Sequence, residues 1–248
     1  MKADSRIVLL GNAGLAIISR GTKIIVDGLY KDLKDYFTDL PPAVWDLMRR
    51  GQGDLANVDY LFFTHDHFDH YYGPYVKEYL GANRVQKILL PPLSATIEGP
   101  SKKELRGAEE LPSRDGRIAL APGLSVRILT VRHVDKLYHN VAVQCLLFDL
   151  QGVKVLITSD ADYLEEAYLQ IKEEKIAYAF VTPVFYNHPE GRRILTEALQ
   201  VEKIVIYHLP DGRDDKFGYY QMVQHDVEKY GKENDVLVWR HFGQYIDV

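Results

Sequence analysis

Between Thr64 and His70 the sequence reads Thr-His-Asp-His-Phe-Asp-His, so three of the nine histidines in 248 residues fall within six positions. Neutral imidazole nitrogen and carboxylate oxygen are ligands for borderline divalent metals such as zinc, iron and manganese. No cysteine lies nearby, and closed structural zinc sites usually recruit thiolates, so the run points to an open, catalytic site. The spacing has a geometric reading. Val58–Phe63 is apolar enough for a short buried strand, and a chain leaving it extended turns His65 and His67 to the same side, where they can share one ion. Asp69 and His70, after a turn, would face a second ion. A helix cap would account for Asp69 alone, but not for four metal-binding side chains in one run.

Other polar residues also end apolar runs. Thr130-Val-Arg-His133 is one, with His139 in Tyr138-His-Asn-Val close behind. Val155-Leu-Ile-Thr-Ser-Asp160 is another, with Asp162 as its near alternative. Lys203-Ile-Val-Ile-Tyr-His208 repeats the arrangement, and Ile24-Ile-Val-Asp27-Gly28 ends in what reads on its own as an Asp-Gly turn. Taken singly, a histidine at a strand end is more often packing or surface than a ligand.

The hexapeptide His65-Asp66-His67-Phe68-Asp69-His70 resembles the metallo-β-lactamase superfamily signature His-x-His-x-Asp-His. The resemblance implies an α+β fold, a four-layer αββα sandwich with two divalent cations at the edge of its sheets. It implies zinc first, with manganese or iron as alternatives. It assigns His65, His67 and His133 to one cation, with His139 competing for the place of His133. Asp69, His70 and His208 go to the other, and Asp160 bridges. Asp27 matches an early aspartate that orients a ligand. The activity implied is hydrolysis of a small ester, lactone or phosphoester, with Asp69, Asp160 and Tyr163 as the catalytic side chains. Tyr163, in Asp160-Ala-Asp-Tyr163, resembles the tyrosine that assists the leaving oxygen in N-acyl homoserine lactone lactonases, but an aromatic packed at a helix start explains it equally. The Leu10–Gly14 and Tyr207-His-Leu-Pro210 segments look most like the branch containing ascorbate-6-phosphate lactonase. The alternative is a metallo-nuclease or phosphodiesterase acting on RNA or a nucleotide. A di-iron, flavin-linked electron carrier would have Glu in place of His67. His188, His225 and His241 match nothing in the pattern.

The elements expected to position these residues begin with strands Arg6–Leu10, Leu15–Ser19 and Lys23–Val26, an antiparallel meander divided by turns at 11–14 and 20–21. A helix over Ala43–Arg50 follows Pro41-Pro42. Apolar runs then mark strands at 85–90, 118–120, 124–131, 141–150 and 153–157. From Tyr163 onward helices alternate with strands: helix 163–172, strand 176–181, helix 191–200, strand 203–207 and helix 218–230. Two short runs, 236–239 and 244–248, come last. The polar stretch Pro91–Asp115 reads as a surface insertion, and with Tyr186–Arg193 it is expected to set substrate choice. No repeat or linker divides the chain, so a single domain over 1–248 is expected.

Bulk composition narrows the function. Lys plus Arg number 30 against 35 Asp plus Glu, which argues against a nucleic-acid surface; the partner expected is a small-molecule substrate. The single cysteine, Cys145, sits in the apolar run 141–148 and reads as strand packing. With no secretory signal and no apolar stretch near the roughly 20 residues of a membrane span, a cytoplasmic protein without membrane association is expected.

Overall fold

In a computed structural model, which describes residues 4–31, 40–93, 97–112, 114–210, 215–231 and 235–248, the chain divides into two compact units. The first comprises Met1–Ser113 and His241–Val248, the second Arg114–Arg240.

The first unit opens with the expected meander: β1 (Ser5–Gly11), β2 (Gly14–Ser19) and β3 (Thr22–Val26). Their ladders are antiparallel, with Ile7 opposite Ile17 and Ile17 opposite Ile24. The chain then changes direction. β4 (Tyr60–Phe62), β5 (Lys87–Leu89) and β6 (Glu109–Glu110) add to β3 in parallel, and β14 (Tyr245–Asp247) closes the other edge against β1. Among the described residues this is a seven-stranded sheet in the order β14-β1-β2-β3-β4-β5-β6.

Its core gathers Ile25, Leu61, Phe63 and Ile88 with Met48 of α1 (Pro42–Arg49) and Val76 and Tyr79 of α2 (Gly73–Ala82). The α2 helix is not among the elements expected from the sequence. Tyr72 at its N-cap makes no side-chain capping bond and the first turn holds no acid, so Pro74 in the first turn is the one helix-start signal present. Within the 91–115 stretch, residues 94–96 and 113 lie outside the described residues; Leu105 and Leu111 are buried.

The second unit is also a mixed sheet, in the order β13-β12-β11-β10-β9-β8-β7 among the described residues. β7 (Gly116–Ala121), β8 (Leu124–Arg132), β9 (Ala142–Leu150) and β10 (Val153–Ile157) run antiparallel, and the Gln151-Gly152 turn joins the last two. β11 (Ile176–Val181), β12 (Lys203–Ile206) and β13 (Asp235–Val238) continue in parallel, so the carboxyl ends of β10, β11 and β12 lie at one edge. Helices over Leu129, Cys145, Leu156 and Ile204 bury Tyr168, Phe185, Leu195 and Val223.

The helices here are shorter than their periodicity suggests. Residues 163–172 give one turn, α3 (Glu165–Tyr168), and a 3-10 turn over Leu169–Ile171. The helix expected from Gly191 starts earlier, as α5 (Pro189–Arg193), and runs into a π turn over Ile194–Ala198; α4 (Pro183–Asn187) precedes it. The last helix, α6, covers Tyr219–Tyr230. No helix among the described residues is long and apolar enough to cross a membrane.

Candidate metal centre

In the first unit the site begins where two parallel strands end side by side. Val26 pairs with Phe62, and the Asp27 amide donates to the Phe62 carbonyl at 2.9 Å. This puts the fully buried carboxylate of Asp27 against the chain leaving β4. Asp27 Oδ1 accepts the Thr64 amide at 2.8 Å, and Oδ2 accepts the Thr64 hydroxyl at 2.6 Å and stands 2.9 Å from His70 Nδ1. A carboxylate acceptor on Nδ1 requires the proton there and places the lone pair of neutral His70 on Nε2, the nitrogen that can bind a metal.

The same logic fixes His65. Thr64 has one hydroxyl proton and gives it to Asp27, so toward His65 Nδ1, 3.2 Å away, the hydroxyl oxygen accepts. His65 therefore also carries its proton on Nδ1 and its lone pair on Nε2. One buried aspartate thus sets the tautomer of two imidazoles, one directly and one through a threonine.

The rest of the motif is held by its own backbone. His70 and Tyr71 amides donate to the His67 carbonyl at 3.0 and 2.8 Å, closing a turn, and Asn12 Nδ2 donates to the Asp69 carbonyl at 3.2 Å from the β1–β2 turn. The imidazole centroids of His65 and His67 are 4.7 Å apart, those of His65 and His70 4.0 Å apart, and His70 Nε2 lies 3.8 Å from Asp69 Oδ2. Charged imidazoles this close would repel one another, so the packing suits neutral rings sharing cations.

In the second unit the site again forms at strand ends. His133 follows β8, and its backbone bridges to Ala161; the Val134 amide donates to the Asp160 carbonyl at 2.8 Å. His208 follows β12 with φ +59°, and Asp160 follows Ser159, which has φ +50°. Asp27, at +48°, shares this left-handed conformation, which non-glycine residues adopt at a cost and which clusters at functional sites.

The Asp160 carboxylate is divided between two rings. Oδ2 lies 3.5 Å from His133 Nε2 and Oδ1 lies 3.5 Å from His208 Nε2. Asp162 has a different setting: it is buried, receives Arg132 Nε at 2.7 Å and the Tyr163 amide at 2.8 Å, and has His139 Nε2 at 3.9 Å. Of the two competing pairs, then, His133 stands with Asp160 and His139 with Asp162. His133 differs from His65 and His70 in one respect. Its Nδ1 accepts the Asp135 amide at 2.9 Å, so in the neutral ring the proton sits on Nε2 and faces Asp160.

Tyr163 stacks face to face on His188, with centroids 3.8 Å apart and planes 8° apart, and meets Phe185 edge on. Burial raises its phenol above the ordinary value, with the Asp162 charge adding to this. His188, which matches nothing in the family pattern, also accepts the Glu190 amide at the start of α5. Tyr219 carries no sequence signal at all. Its phenol is raised first by burial and then by the charges of Asp160, Asp215 and Asp135, which places it within electrostatic reach of the Asp160 carboxylate. Cys145 is fully buried, its thiol pushed up to about 12 by burial, and donates to the Thr158 carbonyl, as packing requires.

The donor set fits divalent cations. Both units bury histidines beside carboxylates, His70 by Asp69 in the first and His133 and His208 by Asp160 in the second. In the first, hydrogen bonds already hold His65 and His70 in the ligating tautomer.

Solved structures share the fold. The chain is similar to isothiocyanate hydrolase from Delia radicum gut bacteria (TM-score 0.69, 15% identity, covering 98% of each chain). It is similar to the metallo hydrolase Igni18 from Ignicoccus hospitalis (TM-score 0.60, 17% identity, 98% of this chain and 97% of that one). It is also similar to CmlA, a diiron β-hydroxylase from Streptomyces venezuelae (TM-score 0.62, 14% identity), matching over 100% of its own length but 55% of CmlA, so it spans about half of that protein. At these identities the likeness shows the fold, which is α+β of the metallo-β-lactamase type. No curated protein sequence matches the chain. Residues 6–208 match the metallo-β-lactamase superfamily, a range that takes in every candidate ligand from His65 to His208, and the chain belongs to that superfamily.

Proposed function

We propose that this protein is a metal-dependent hydrolase that acts on a small ester, lactone or phosphoester, with the whole chain, 1–248, working as one catalytic domain. The observation that carries this reading is the divided Asp160 carboxylate, each oxygen 3.5 Å from a different imidazole, an arrangement suited to bridging two cations. His65, His67 and His133 would hold one, Asp69, His70 and His208 the other, with Asp160 between them. Zinc suits this donor set, and manganese and iron share it.

When bound, two such cations supply Lewis acidity, making water a nucleophile near neutral pH and polarising the oxygen under attack. The chain's own groups do the rest. Asp27 and Thr64 keep His65 and His70 in the ligating tautomer. Asp69 and Asp160 are the carboxylates placed to accept the proton of the attacking water. Tyr163, whose phenol stays protonated at neutral pH, donates to the leaving oxygen, and His188 holds its ring.

The lactonase-like branch is supported by the Leu10–Gly14 turn, whose Asn12 braces the motif backbone, and by the His208-Leu-Pro segment. The net charge of −5 favours a small-molecule substrate over RNA. The buried thiol of Cys145 is in keeping with a cytoplasmic setting. Elemental analysis of purified protein alongside His67→Ala and Asp160→Ala tests the centre, followed by a screen of lactones, phosphodiesters, amides and isothiocyanates with metal-loaded enzyme. Close to two metal equivalents in the parent and a deficit in both variants are expected. Full metal content in either variant removes that residue from the ligand set, and turnover confined to phosphodiesters favours the nuclease alternative.

A further inference from the structure

The first helix is short for the sheet beneath it. α1 spans eight residues, about 12 Å of helix, and just past its end Gly51 turns the chain back with φ +68°. A Cβ at Gly51 would meet the Ala82 carbonyl oxygen at 2.7 Å, so only glycine fits there. Part of β1 and β2 is left uncovered as a result. Val8 stands opposite Ala16 across these strands, on the face away from Ile7 and Leu9.

That gap is a cavity of about 310 Å³ within the first unit. Val8, Leu10, Ala16 and Ile18 form its floor, and Val44, Leu47 and Met48 of α1 its wall. Phe242, held where the Gly243 amide donates to the Leu9 carbonyl at 2.8 Å, completes it. Leu47 and Phe242 are 46% and 45% exposed, so the mouth is apolar too. Ligand sites begin at about 300 Å³ and are mostly apolar with a few polar groups.

The polar side chains of the lining are Arg6, Gln52 and Asp54. Arg6 is committed elsewhere: Nε and Nη2 donate to Asp247 at 2.6 and 3.2 Å, and its guanidinium carbon lies 4.2 Å over the Tyr245 ring. Asp54 is exposed to water, with the Lys23 ammonium 3.2 Å from its carbonyl oxygen. Gln52, exposed at the same edge, offers a neutral amide. An ion entering would trade water for an apolar floor without a counter-charge, whereas a neutral ring loses little by leaving water.

We propose that this cavity is a second ligand site, separate from the metal centre. It takes a neutral apolar molecule of one or two fused rings, or an alkyl chain of similar bulk, with a hydroxyl or carbonyl at the Gln52 edge. None of His65, His67, Asp69 and His70 lines it.

Calorimetry on the purified protein with 2-naphthol, 2-naphthoate and 2-naphthylmethylammonium tests this. The uncharged naphthol should bind at least about tenfold more tightly than either ion. Ala16→Leu fills the floor and Leu47→Gln makes the mouth polar, and each should weaken naphthol binding at least about tenfold with zinc content at the parent level. Thermal melts check that Ala16→Leu is folded; Leu47→Gln changes an exposed position and tests the site independently. No naphthol binding, an ion bound as tightly, or unchanged affinity in both variants overturns the proposal. So does gel filtration showing a parent dimer that Leu47→Gln makes monomeric, since a second copy would then cover the cavity.

Discussion

The two halves of the proposed centre are built alike and tuned differently. Each uses polar residues set just past the carboxyl ends of strands. In the first unit Asp27 and Thr64 put the protons of His70 and His65 on Nδ1, whereas in the second the Asp135 amide places the proton of His133 on Nε2, toward Asp160. The first half is already in the form a cation requires. In the second, ligation through Nε2 moves the His133 proton to Nδ1, where it displaces the contact with the Asp135 amide. Ligand geometry held in advance costs little at the moment of binding, so the first unit should dominate affinity and the second should have to reorganise as metal binds.

The largest effect that would break this comparison is at Asp160. Asp160→Ala should lower kcat/KM by about 10²- to 10⁴-fold and reduce bound metal, measured by steady-state kinetics and elemental analysis; a small effect would mean that the carboxylate bridges nothing. Asp27→Ala comes next. It leaves a buried amide, a hydroxyl and an imidazole without their acceptor, so unfolding free energy should fall by about 3 kcal/mol in urea titrations, with metal affinity weakened about 10- to 100-fold.

Tyr163→Phe should lower kcat by about 10²-fold with KM little changed, and His188→Ala, which removes the ring that Tyr163 stacks on, should do less. If Tyr163→Phe is silent, Tyr219 is the phenol to test next. His133→Ala should lose metal where His139→Ala keeps it, because only the former ring faces Asp160.

The smallest effect concerns Cys145. Its folded thiol pKa is raised from 9.0 to about 12 by burial, so the unfolded chain gives up this proton first as pH rises. The thiol's contribution to stability is therefore full below about 9 and declines toward 12. Cys145→Ala should flatten that alkaline decline in thermal melts, and native protein should not react with Ellman's reagent near neutral pH.

The meander, most strand positions and the polar residues at strand ends are readable in the sequence because period-two alternation and Gly-containing turns are local signals. The short helices are not. Residues 163–172 carry helical spacing, but packing of Tyr168 and Ile171 against the sheet decides where the turn tightens. The α2 helix begins at Gly-Pro without a capping side chain, so Pro74 alone marks its start.

Likewise, sequence can name His133 and His139, or Asp160 and Asp162, as alternatives but has no means to separate them. The separation comes from the β8–β9–β10 register, which sets His133 beside Asp160 and leaves Asp162 to Arg132. Residue types and spacing alone determined the family signature, the donor chemistry and the order of strand ends, because these are written in consecutive residues. Tertiary structure alone decided which imidazole faces which carboxylate, which ring nitrogen carries the proton, and that an apolar cavity lies between α1 and the first two strands. Each of these depends on groups that strand pairing brings together from distant parts of the chain.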